Sequence, residues 1–261
     1  QAYDAAPGIT SSVWGSQFGR HNSWWPLSGD WHRYIARCQH LLRQGRNVSD
    51  LARHLGEEAP ESPWLPSAAF PGCRFDDINT EVILESLSVR DGKLVLPGGA
   101  EYAALSVETR VMRAALARKL AALIEDGATV IAPRPIRSPS LADGAAGDAE
   151  IRRIADAVWG DCDGQTVKER RHGKGRVIWG KNLAEIAGEM GVLPDFECEK
   201  NALGWIHRRG PGIDIYFLAN GSEPFSGTCH FRVAGRTPEL WDPVTGEITR
   251  PRAFEATADG R

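Results

Sequence analysis

The sequence predicts an α/β protein, and three observations carry that prediction. From Val48 to about Gly191, short apolar runs alternate with amphipathic helical stretches, the order of a mainly parallel sheet layered with helices. After Pro194 the period changes from helical to alternating, which predicts a β-rich tail. Ahead of Val48, a Gly-, Ser- and aromatic-rich opening without any period runs straight into one clear helix.

Taken in chain order, residues 1–26 read as a long loop. The helix at 30–44 sets Trp31, Tyr34, Ile35, Cys38, Leu41 and Leu42 on one face, with Gly45 as its stop. That face must dock on something, and a loop and helix offer little partner surface at the start of a free-standing domain. They read as the last unit of a preceding one. Candidate strands follow at 48–55, 93–96, 102–107, 128–132 and 176–179. The helix at 109–126 carries Met112, Ala115, Leu116, Leu120, Leu123 and Ile124, with Thr109 as N-cap and Gly127 as stop. Ile151, Ile154, Ala155, Val158 and Trp159 mark a further helix ended by Gly160, and Leu183, Ile186, Ala187 and Met190 a shorter one ended by Gly191. Between them, 133–147 reads as a surface loop rich in Pro, Ser, Ala and Gly. In the tail, Trp205, His207, Ile213, Ile215, Phe217, Phe231, Val233 and Leu240 alternate between turn-forming Gly-Pro-Gly, Asn-Gly-Ser and Val-Thr-Gly segments. So few strands cannot close a sandwich, and the sequence reads as a piece cut at both ends.

Composition narrows the function classes. The 261 residues are 42% hydrophobic and 25% charged, enough for a sizeable core. A net charge of -3, with 31 basic residues scattered among 34 acidic ones, offers no basic stripe for a phosphate backbone. Nucleic acid and membrane are therefore not expected as partners, since no run approaches the roughly 20 apolar residues of a spanning helix. The five cysteines, Cys38, Cys73, Cys162, Cys198 and Cys229, form no C-x-x-C pair. Nine tryptophans against four tyrosines is the more informative excess, because indole faces stack on sugar rings as readily as they fill cores.

Four places in the sequence are candidates for chemistry. An amidotransferase of glutaminase type needs a nucleophilic Cys at a strand-to-helix elbow, but the elbow after the 102–107 strand reads Glu108-Thr109-Arg110. The Gly-rich words at Gly98-Gly99 and Gly173-Lys174-Gly175 lack phosphate-loop spacing and read as turns. Glycosidic cleavage needs two carboxyl groups across the scissile bond. Glu57 with Glu58 and Asp76 with Asp77 are adjacent pairs whose side chains should diverge, and Asp76 or Asp77 is instead expected to cap a helix beginning near Asn79. The fourth place, residues 14–25, is the richest polar and aromatic cluster. There Trp24 and Trp25 could stack on pyranose faces while Arg20, His21 and Asn22 bond ring hydroxyls; the alternative is that the tryptophans pack the following helix. His40, His54, His172, His207 and His230 read as structural, and no catalytic or metal-ligating residue is assigned.

The words Phe18-Gly19-Arg20-His21-Asn22-Ser23-Trp24-Trp25, Trp31-His32-Arg33-Tyr34-Ile35-Ala36-Arg37-Cys38-Gln39, Asp77-Ile78-Asn79 and Leu94-Val95-Leu96-Pro97 occur in that order. Gly127-Ala128-Thr129-Val130 with Pro133-Arg134-Pro135, Gly175-Arg176-Val177-Ile178-Trp179-Gly180, Gly204-Trp205-Ile206-His207-Arg208-Arg209, Asp214-Ile215-Tyr216-Phe217 and Glu239-Leu240-Trp241-Asp242-Pro243-Val244-Thr245-Gly246 continue it. Together they resemble the α-L-rhamnosidases of glycoside hydrolase family 106. The resemblance implies that residues 1–46 end a (β/α)₈ TIM barrel, 47–195 form a glutaminase-like, flavodoxin-like α/β domain without nucleophile, and 196–261 begin a β-sandwich. It implies an inverting hydrolase that removes terminal L-rhamnose from glycosides or plant polysaccharides, in a periplasmic or extracellular setting. Calcium and two catalytic glutamates would belong to the full-length enzyme, the glutamates upstream of Gln1. This segment would then be chiefly scaffold for the remainder of its parent chain. Arg20, His21, Asn22, Trp24 and Trp25 would edge the sugar pocket. From a different class, a non-catalytic carbohydrate-binding or assembly module fits the same aromatic loop.

Overall fold

The computed structural model describes residues 23–57, 69–199, 203–221, 223–224, 226–251 and 253–257. A 3-10 turn at Trp25–Leu27 leads into α1 (Gly29–Leu42), then β1 (Arg46–Asn47), β2 (Leu51–His54), β3 (Phe75–Asp77) and α2 (Thr80–Glu85). A small antiparallel ribbon follows, β4 (Ser88–Arg90), β5 (Lys93–Val95) and β6 (Glu101–Tyr102). Its β4–β5 turn is Asp91-Gly92, with φ of 53° and 75°, the paired positive φ that a two-residue hairpin turn requires. The chain continues through β7 (Ala104–Val107), α3 (Ala114–Asp126), β8 (Thr129–Ile131), α4 (Gly144–Val158), β9 (Glu169–His172), β10 (Gly175–Ile178) and α5 (Leu183–Met190). The tail contains β11 (Phe196–Cys198), β12 (Leu203–Gly210), β13 (Ile213–Asn220), β14 (Cys229–Phe231), β15 (Leu240–Trp241) and β16 (Ile248–Thr249).

The central sheet has six strands in the order β3-β2-β7-β8-β10-β9. All neighbours run parallel except β9, which pairs antiparallel with β10 as a charged border strand, Glu169-Arg170-Arg171-His172. Counted in chain order, the parallel strands lie second, first, third, fourth, fifth. The order therefore reverses between β2 and β7. Side chains alternate between two cores, as the strand period demands. Ala52, Leu105, Val130 and Val177 meet α3, α4 and the Ile83–Leu87 region on one face. Leu51, Ala104 and Ile178 meet Ile186 and Ala187 of α5, together with Phe70 and Cys73, on the other. Fully burying a Leu, Ile or Phe stabilises by about 1.5–3 kcal/mol, so these two layers dominate the stability of the fold.

Local chemistry sets the helix ends, and here some expectations are corrected. α5 begins as predicted, with the Asn182 side chain accepting from the Glu185 N–H at 2.7 Å, and ends at Gly191, whose φ is 64°. α2 is capped by Asn79, which accepts from the Val82 N–H at 2.9 Å. Neither Asp76 nor Asp77 caps it; both lie in β3. α3 starts five residues later than predicted, at Ala114, because the Thr109 hydroxyl bonds locally to Val111, accepting from its N–H at 3.0 Å. α4 starts at Gly144, inside the stretch expected to be loop. The strand expected at 48–55 is confined to Leu51–His54, since Ser49 and Asp50 turn their side chains to Asp76 and Arg232.

In the tail, β12 and β13 form a long hairpin closed by Pro211-Gly212, and β1 adds to the free side of β12. β11 pairs with β14, and β15 with β16. α1 sits against β13, and its Arg37 donates to the carbonyls of Pro243 and Val244 at 3.0 and 2.7 Å. Among the described residues no helix is long and apolar enough to cross a membrane.

Candidate functional site

Of the predicted sugar-facing residues, Arg20, His21 and Asn22 lie outside the described residues, while Trp24 and Trp25 are placed at the entry to α1. Their rings are tilted, with centroids 6.4 Å apart. Trp25 is half-buried and meets His32 edge-on at 5.4 Å; His32 in turn meets Trp31 edge-on at 5.1 Å. The His32 ring is oriented by its Nδ1 contact to the Ser28 carbonyl, at 2.7 Å. Trp24 and Trp31 keep 38% and 44% of their surface exposed. One residue of α1, Cys38, is buried, so the helix is held chiefly at its C-terminal half, by Arg37 and by Arg208 reaching the Gln44 and Gly45 carbonyls. Three indoles and an imidazole thus share one end of a helix. Such a group can stack on a sugar face.

The C-terminal edge of the parallel strands, where order reverses, is the usual ligand crevice of an open α/β sheet. Here the described residues make polar contacts with one another. His54, at the end of β2, is buried, and its Nε2 lies 2.9 Å from the Thr80 hydroxyl; burial pushes its pKa below the ordinary value. Glu57 accepts from the Arg113 N–H at 2.6 Å and from its guanidinium at 2.7 Å. Glu58 lies outside the described residues. The elbow after β7 carries Glu108, Thr109 and Arg110, and no thiol.

Asp76 and Asp77 diverge, as their adjacency predicts. Asp76 accepts from Asn47, Ser49 and the Tyr102 hydroxyl at 2.8, 2.9 and 3.0 Å. Asp77 takes a two-pronged bond from Arg53, a nearly buried guanidinium, at 2.6 and 2.9 Å. Asp76 and Asp77 therefore face no common gap.

Sequence reasoning missed the largest buried polar cluster, centred on His207. Its Nδ1 lies 2.9 Å from an Asp195 oxygen and its Nε2 lies 3.0 Å from Asp214. A carboxylate thus stands at each ring nitrogen. Tyr216 stacks on it at 4.0 Å and donates its hydroxyl to Asp195 at 2.8 Å. Arg209 and Arg236 flank Asp214 at 2.7 and 2.9 Å, and Arg232 bridges Asp195 and Asp50. Burial alone would raise Asp214, but Arg209 and His207 outweigh it and hold the carboxyl below its usual range. Every member is saturated within the cluster, so its chemistry is cohesion: it rivets the β12–β13 hairpin to the end of the α/β layer. A signal did exist in the sequence. A two-residue turn at Pro211-Gly212 places His207 opposite Tyr216 and Arg209 opposite Asp214.

Among the described residues, no group of three or more His, Cys, Asp or Glu is placed to hold a metal ion.

Comparison with known proteins finds both a matching family model and similar, larger proteins. The family model for glycoside hydrolase family 106, alpha-L-rhamnosidase, matches residues 1–254. A protein of Formosa agariphila named "Putative beta-glucuronidase" is 34% identical over 266 residues, an alignment covering 100% of this chain and 22% of that protein. The solved structure of a rhamnosidase from Novosphingobium sp. PP1Y matches with a TM-score of 0.82 and 35% identity, over 95% of this chain and 24% of that one. The chain thus spans between 22% and 24% of the length of these relatives.

Proposed function

The chain belongs to glycoside hydrolase family 106, the α-L-rhamnosidases, and on that premise we propose that it is a supporting segment of a larger enzyme that releases terminal L-rhamnose from glycosides or plant polysaccharides. The observation that carries the reading is the match of almost the whole chain to about a quarter of one rhamnosidase structure. The saturated state of the most buried carboxylates, Glu57, Asp195 and Asp214, supports assigning cleavage to residues elsewhere in that enzyme.

In this reading residues 47–195 are a glutaminase-like domain that has no nucleophile. Its second-first-third-fourth-fifth strand order is the flavodoxin-like one. Residues 1–46 are the end of a (β/α)₈ barrel, and 196–261 part of a β-sandwich. The half-exposed apolar face of α1, Trp31, Tyr34, Ile35, Leu41 and Leu42, docks on the rest of the parent chain. Arg20, His21, Asn22, Trp24 and Trp25 edge the sugar pocket, and calcium is bound outside this segment. The exposed Trp24 and Trp31 favour one second reading, a module that binds sugar without cleaving it.

The test is release of nitrophenol from its α-L-rhamnoside and its β-glucuronide, by this chain and by its longer parent, with calcium and with chelator. Turnover of the rhamnoside by the parent alone is expected. Trp24→Ala in the parent should raise KM about tenfold or more, the effect of losing one stacked ring. Rhamnoside turnover by this chain would overturn the scaffold assignment, and exclusive turnover of the glucuronide would overturn the substrate. Sugar binding by an inactive parent would favour the second reading.

A further inference from the structure

We propose that Cys198 and Cys229 form a reversible cross-strand disulfide that latches β11 to β14. The two residues stand directly opposite each other in the antiparallel β11–β14 pair. The Glu199 N–H reaches the Thr228 carbonyl at 3.3 Å, so the 199/228 pair is hydrogen-bonded and the next pair inward, Cys198/Cys229, is a non-hydrogen-bonded one. At such positions the Cα atoms approach to about 4.5 Å, within the span that a disulfide bridges without backbone movement. The two Sγ atoms already touch, at 3.3 Å, and closing the bond requires side-chain rotation alone.

Access separates this pair from the other thiols. Cys38, Cys73 and Cys162 are buried, whereas Cys198 and Cys229 are each partly exposed. Cys229 also borders a groove of about 520 Å³ that Leu203, Leu218 and Asn220 help to line. The oxidant that the chemistry asks for is a disulfide, either a small-molecule one or that of a thiol–disulfide oxidoreductase. One cysteine thiolate attacks it, giving a mixed disulfide and releasing one thiol. The second thiolate attacks the chain's own sulfur in that mixed disulfide and releases the other thiol. Two protons and two electrons leave the cysteine pair, and the acceptor disulfide gains both. Burial and the adjacent Cys198 thiol push Cys229 up to about 11, so the exchange quickens as pH rises.

The closed loop contains the whole β12–β13 hairpin, and with it His207, Asp214 and Tyr216. Oxidation therefore fixes the two strands that bracket the buried cluster, and reduction frees them. A loop of roughly thirty residues predicts a rise in Tm on the order of 10 °C.

The experiment is to incubate the chain with oxidised glutathione, block remaining thiols with iodoacetamide, and map the products by proteolysis and mass spectrometry. The expected result is loss of two hydrogens, one crosslinked peptide joining Cys198 to Cys229, a higher Tm, and reversal by a dithiol. Cys198→Ser and Cys229→Ser should each abolish the Tm shift. Full alkylation of both cysteines after oxidation, stable glutathione on either, or a crosslink between any other pair would overturn the proposal. The map on the unmutated chain decides even if a serine variant fails to fold.

Discussion

Replacing Asp195 with alanine probes the junction between the α/β layer and the tail. The carboxylate is wholly buried and takes His207 Nδ1 at 2.9 Å, the Tyr216 hydroxyl at 2.8 Å and Arg232 Nε at 3.4 Å. Alanine leaves His207 Nδ1 without its carboxylate partner, and leaves Arg232 facing Asp50. Removing one partner of a buried ion pair costs about 3–5 kcal/mol. The Tyr216 hydroxyl adds little, because the Asp195 carbonyl remains 3.3 Å away as a substitute acceptor. A net loss of about 4 kcal/mol follows. With a urea m-value of about 3 kcal/mol/M for a chain of this size, the unfolding midpoint should fall by about 1.3 M at unchanged m, read from tryptophan fluorescence. Asp195→Asn keeps an acceptor and should lose roughly half as much. As a surface control, Arg33→Ala breaks only the exposed ion pair with Asp30 and should leave the midpoint where it was. A midpoint for Asp195→Ala within about 0.3 M of the unmutated chain would refute the cohesive role of the cluster.

Acid titration provides a second check. Asp214 is held below its ordinary value of 3.8, so its stabilising share is complete above that value and is lost as pH falls through the lower folded one. Asp214→Asn should flatten the acid limb of the urea midpoint plotted between about pH 5 and pH 2. Gly180 has φ of 83°, and a Cβ there would lie 2.0 Å from the Gly164 carbonyl oxygen, so Gly180→Ala should cost well over about 1 kcal/mol. Gly188, exposed in α5 with nothing near its Cβ position, gives the opposite sign: Gly188→Ala should gain up to about 1 kcal/mol in the same assay. Trp159 is fully buried and donates Nε1–H to the Ala132 carbonyl at 3.0 Å, so Trp159→Phe should lose about 2 kcal/mol by calorimetry.

The elements legible in the sequence were those whose signals are local. α5 carries its cap, its apolar face and its stop within ten residues, and β10 its apolar run flanked by glycines. The start of α4 was hidden because Gly144-Ala145-Ala146-Gly147 has turn composition and no amphipathic stripe; the helix there is secured by side chains of the preceding turn, with Ser138 bonded to both Asp143 and Asp148. Strand β3 was hidden because two adjacent acids just ahead of Asn79 read as helix caps. Arg53, Asn47, Ser49 and Tyr102, which satisfy them, arrive only through long-range strand pairing. The same applies to the His207 cluster, whose partners come from positions 50, 195, 214 and 232. Sequence reading located the aromatic group at Trp24 and Trp25 because it is contiguous; it could not foresee that Trp31 and His32, one helical turn on, complete it.

The antiparallel border strand β9 has a bearing on solubility. A parallel sheet ending at β10 would expose a row of unpaired peptide groups beside Val177 and Ile178, an inviting template for the same strand of another molecule. β9 occupies that row, with Arg171 exposed and Glu169 held by Arg176 and Lys181. A second copy docking on that border would meet the adjacent Arg170 and Arg171, charged residues of the kind that blunt an edge against strand addition.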